Sequence, residues 1–115
     1  MEDDRSLALA AEETTDVTVA LDARPVMVPL AAGHLEIAFA PVFGTMRAHL
    51  SFVGCAIPAE VILRVPALGG TLDVPCQSHA GRLVSTRTLT HLPPGTQVTF
   101  VDDGQLHRLT LRSAR

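Results

Sequence analysis

The residues best spaced for chemistry are Cys76-Gln77-Ser78-His79. A Cys-x-x-His pair is half of a zinc site, because two intervening residues let one turn of backbone offer both ligands to a tetrahedral ion. The remaining candidates are Cys55, His34, His49, His91 and His107, and none of them forms a second closely spaced pair. Cys76 and His79 are therefore weak metal candidates. The expectation is a small buried thiol at 76, a surface loop histidine at 79, and no metal or other cofactor. His91 and His107 come near each other if the last two strands pair, and they read as strand histidines with no shared role.

Other chemistries find less support. There is no Gly-x-Ser-x-Gly elbow for a serine nucleophile, and neither cysteine sits in a catalytic signature. Glu36 alternates with apolar neighbours in "HLEIAF", which turns it to solvent or into the lumen of a barrel. Asp102 and Asp103 are explained by a turn, and the paired glycines of "ALGGTLD" precede no helix, so they form no phosphate loop. No assigned enzyme follows from these residues.

The elements that must carry them are strands. From Val17 the apolar residues recur with a period near two, through segments 17–21, 25–30, 34–39, 46–52, 60–65, 71–74, 82–90, 96–101 and 105–111. Ala-Gly, Phe-Gly, Gly-Gly, Pro-Pro-Gly and Asp-Asp-Gly separate them. Asp103-Gly104 is the strongest hairpin signal, since both residues tolerate the positive φ of a type I′ turn. The expected fold is all-β: a small antiparallel sandwich or barrel of eight or nine short strands, covering residues 17–115 as one domain. In the last strand Leu109 and Leu111 share a face and Leu106 does not. This calls for a bulge near His107-Arg108 or a sheet covered on both faces. Residues 1–16 read as an acidic arm, either flexible or a short helix capped by Ser6, that attracts the arginines of the C-terminal half.

Composition narrows the partners. The chain has 115 residues, 47% of them hydrophobic, and a net charge of −3. It has no Trp or Tyr and only the phenylalanines Phe39, Phe43, Phe52 and Phe100. That weighs against a base-stacking platform and against nucleic acid as a partner. No apolar run is long enough for a membrane helix, and the acidic start is unlike a signal peptide. The expected location is the cytoplasm, with reduced thiols and no membrane partner.

The stretch from Cys76 to Leu109 resembles the substrate-binding region of the DnaJ-type co-chaperones. Cys76 and His79 stand where that family has a zinc Cys pair. Gly81-Arg82-Leu83, Arg87-Thr88-Leu89-Thr90, Leu92-Pro93-Pro94-Gly95 and Asp102-Asp103-Gly104 then follow in the family's order, and "VPALGGTLDVP" (65–75) is similar to its second β domain. The resemblance implies a β fold whose apolar groove takes an extended peptide by strand addition. This sequence carries neither the His-Pro-Asp motif of a J-domain nor the other zinc Cys pairs, so ATPase stimulation and the zinc centre are not implied.

The functional expectation is a non-enzymatic binding or assembly module that uses an apolar β surface to hold a protein or peptide, or a second copy of itself. The candidate contact residues are Phe39, Phe43, Met46, Phe52, Ile62 and Phe100. The alternative is a small barrel enclosing an apolar small molecule, including a cyclase-like enzyme that shapes its substrate.

Overall fold

A computed structural model describes residues 11–21, 24–102 and 104–113, without the side chains of 11–13 and 102. Its strands are β1 (Ala11–Val19), β2 (Val26–Pro29), β3 (His34–Val42), β4 (Thr45–Val53), β5 (Val61–Ala67), β6 (Gly70–His79), β7 (Arg82–Ser85), β8 (Gln97–Asp102) and β9 (Gln105–Ser113). They form one sheet in the order β1-β9-β8-β5-β6-β7-β4-β3-β2. The sheet curls until β1 and β2, the two ends of that order, touch, with no strand pairing between them among the described residues. The result is a nearly closed barrel, and the described residues contain no helix.

Alternation builds the interior. Leu35, Ile37 and Phe39 of β3 face inward, opposite Phe52, Leu50 and Ala48 of β4. Val61, Leu63 and Val65 do the same on β5, with Val98 and Phe100 on β8 and Leu109 and Leu111 on β9. All except the half-buried Phe52 are buried and belong to one contiguous core. β6 joins the two halves of the barrel: Gly70–Pro75 pair with β5, and Cys76–His79 pair with β7. Pro75, which has no N–H to donate, stands at the switch, and its carbonyl accepts the Thr86 N–H at 3.0 Å.

Two features differ from the sequence reading, and a third decides between its two alternatives for β9. First, Ala11–Asp16 are not an arm or a helix. They are part of β1, which pairs with β9 in parallel, the one departure from an antiparallel sheet. Acidic and Thr side chains hid this strand, because an edge held by backbone pairing needs no apolar alternation. Residues 1–10, with the Ser6 cap, lie outside the described residues. Asp16 of β1 reaches Arg112 of β9 at 2.8 Å in an exposed ion pair. Second, the strand expected over 82–90 stops at Ser85. There the Ser85 hydroxyl donates to the Arg87 carbonyl at 2.8 Å and accepts the Ala48 N–H at 3.0 Å, which turns the chain away. Leu89 returns to β4 only as a bridge to Met46. Third, β8 and β9 pair in unbroken register from Gln97↔Thr110 to Asp102↔Gln105, so there is no bulge. Leu106 faces outward and is still only 2% exposed, which makes this sheet covered on both faces there.

The tight turns follow their residues. Gly104 has φ 75° in the β8–β9 loop, while its neighbour Asp103 lies outside the described residues. Phe43 and Ala80 hold positive φ without being glycine, at 46° and 53°, each followed by a glycine that also has positive φ.

Candidate functional site

The barrel interior is filled by its own side chains. On the outer face of β5, β8 and β9 the alternation that should present polar groups instead presents Ile62, Val101 and Leu106. With Ala59, Glu60, Arg64, Thr99 and the contact candidate Phe100 they line a groove of about 440 Å³. Leu106 is its buried floor and Val101 is 42% exposed. Arg64 is held at one side by Asp73, N to O 3.6 Å. A second cavity, of about 470 Å³, lies between Leu92, Pro94 and Gly95 and the end of β9 from Thr110 to Ser113.

The residues marked as contact candidates are dispersed. Phe39 is wholly buried and belongs to the core, not to a surface that a partner reaches. Phe100 is 2% exposed, its ring packed edge-on to Phe52 with centroids 5.2 Å apart. Phe52 and Met46 are half-buried against the core. Only Ile62 and Phe43 meet solvent in a way that suits binding: Ile62 in the groove, Phe43 fully exposed at the β3–β4 turn. Leu68 is equally exposed at the β5–β6 turn, and its Leu-Gly-Gly context had suggested only a turn. A large apolar side chain at a turn tip gains nothing from its own core.

Cys76 and His79 do not form a pair. Both lie on β6, three positions apart, and strand alternation sends them to opposite faces. Cys76 packs against the core, where burial pushes its thiol up to about 11. His79 is exposed on the outside beside Arg82. Among the described residues no group of three or more His, Cys, Asp or Glu is placed to hold a metal ion. His91 and His107 are also separated: His91 is exposed and bonded to Thr90, whereas His107 is 3% exposed and lies inside against Phe100.

The stretch that carries the co-chaperone resemblance includes the end of β6, β7, β8 and the first half of β9, and residues 86–96 between β7 and β8 are irregular. Its Leu92-Pro93-Pro94-Gly95 segment forms a turn in which Thr96 donates to the Pro93 carbonyl through both N–H and hydroxyl, at 3.3 and 2.8 Å. Leu89 and Met46 exchange backbone hydrogen bonds of 2.7 and 2.8 Å.

No family model, curated protein or solved structure matches this chain. The functional reading rests on its own geometry. No helix among the described residues is long and apolar enough to cross a membrane.

Proposed function

We propose that this protein is a non-enzymatic binding or assembly module, and that the groove on β5, β8 and β9 is its contact surface. The observation that carries this reading is the pair Ile62 and Val101, half-buried and 42% exposed, set on the outer face above the buried floor of Leu106. Placing apolar groups on the solvent side of a sheet exposes area that is recovered only when something covers it. The occupant we favour is a second copy of the chain. A two-fold contact would cover two grooves at once, and the exposed apolar set also includes Met27, Val53, Ile57 and Leu68. The resemblance to the co-chaperone region supports an extended peptide as the other occupant, bound by strand addition. Cys55 and Cys76 are free thiols, in keeping with a cytoplasmic setting.

A lumen ligand is the weaker reading. Phe39, Phe100, Leu35, Ile37, Leu50, Leu63 and Leu109 converge on the space it would need.

Sedimentation equilibrium of the full chain tests the proposal. The expected result is a concentration-dependent mass above the 12.2 kDa of one chain. Val101→Glu should return it to monomer, because it puts a charge into the covered groove at a position that tolerates it when free. A 12.2 kDa species at every concentration, or a Val101→Glu variant that associates as before, would remove self-association through this groove.

A further inference from the structure

On the opposite half of the barrel, the outer face of β4, β7 and β6 gathers positive charge. Strand pairing sets His49 and Gln77 on either side of Val84, and His79 beside Arg82. Arg47 precedes His49 by two positions on β4 and so shares its face. Arg47, Gln77, Ser78, His79 and Thr86 surround a cavity of about 260 Å³ whose base includes Val84. Arg82 Nη1 lies 3.2 Å from His49 Nδ1. A guanidinium has no lone pair, so Nδ1 accepts and His49 carries its proton on Nε2, as a further donor. The Arg47 Nε–H is buried without a hydrogen-bond partner. The carboxylates nearest in register are occupied elsewhere: Glu36 with His34 at 3.1 Å and Asp73 with Arg64.

We propose that this face is a phosphate site, in which Arg47, Arg82, His49, His79 and Gln77 bind the phosphate of a small soluble phosphate monoester. Two guanidiniums with two imidazoles suit a dianion with three terminal oxygens, whereas a carboxylate brings one charge and two oxygens to the same donors. The cavity has room for a phosphate and a short attached group, and no Phe, Tyr or Trp lines it to stack a base. This surface is separate from the apolar groove, so either assignment stands without the other.

The test is a titration of the isotope-labelled full chain with inorganic phosphate, followed by amide and imidazole NMR shifts, with sodium chloride at matched ionic strength as control. The expected result is saturable shifts at Gln77, His79, Val84 and the His49 ring. Affinity should fall about 10-fold in Arg47→Gln and in Arg82→Gln, and stay unchanged in Arg112→Gln. Arg82 is exposed, so its variant keeps the test valid if Arg47→Gln misfolds. Shifts that chloride reproduces, or that ignore both substitutions, would overturn the proposal. So would tighter binding to a duplex oligonucleotide, or to phosphatidylcholine vesicles carrying phosphatidic acid, with no saturable response to free phosphate.

Discussion

His107 lies flat against Phe100 inside the barrel, ring centroids 4.9 Å apart and planes 13° from parallel. The two residues are paired across β8 and β9, and Phe52 closes the far side edge-on. Phe100 thus contacts two rings in a core that is mostly aliphatic. Phe100→Ala should cost about 3–5 kcal/mol, as the loss of a fully buried aromatic does. Urea denaturation checks it, and a loss below about 1 kcal/mol would mean that the site refills.

Ser85 is 1% exposed and joins three segments through one hydroxyl, bonded to Ala48 and Arg87. Ser85→Ala leaves a buried N–H and a carbonyl unmatched, and each such loss costs about 1–3 kcal/mol. The expected effect is destabilisation together with faster amide exchange at Ala48. Unchanged exchange at Ala48 would show that this bond is not formed in solution.

Cys76 should react slowly. With its pKa pushed up to about 11 by burial, only about one thiol in a thousand is ionised at pH 8, and the thiolate is the nucleophile. Under native conditions a thiol reagent should therefore label Cys55 first, and Cys76 should follow only with unfolding. Mass spectrometry after partial labelling reads the order. Equal rates at the two positions would contradict the burial of Cys76.

His49 sets a pH dependence. Its pKa is lowered from 6.5 by burial first, then by Arg82, Arg47 and His79. Glu36 on β3 is the carboxylate on the same outer face, and it bonds His34. The unfolded chain binds a proton at His49 more readily than the folded one. His49 therefore contributes stability above about pH 6.5, and that contribution is lost as the pH falls through the lowered folded value. His49→Gln should flatten this part of the stability profile. A profile with an unchanged slope below pH 6.5 would place the titration elsewhere.

The inward rows were legible because alternation alone determines them: Leu35, Ile37 and Phe39 declare a face without knowledge of any neighbour. The acidic half of β1 was not, because its pairing with β9 is a backbone matter that leaves no apolar period in Glu12, Glu13 and Asp16. The cationic face was hidden for another reason. Arg47 and His49, Gln77 and His79, and Arg82 come from three strands, and their meeting depends on β7 pairing with both β4 and β6. The groove left a trace in the misfit of Leu106 with the period of β9, which signalled burial on both faces but not what lay above it. Phe43 was legible as well, since a Phe-Gly pair between two apolar runs reads as a turn, and a turn puts the ring in solvent.

The parallel pairing of β1 with β9 bears on the time course of folding. Ala11 finds Gln105, and Asp16 finds Arg112 across 96 positions, only after nearly all of the chain exists. Every other pairing of β9 is a local hairpin with β8. Closing the long loop has a large entropic cost before any contact rewards it, so β1 docks late. During synthesis β9 would emerge after the other eight described strands, pair quickly with β8, and present an open edge until β1 arrives. In that interval the edge is a template for the β1 of another molecule, a swapped pairing that would be distinct from any contact through the groove of the finished barrel.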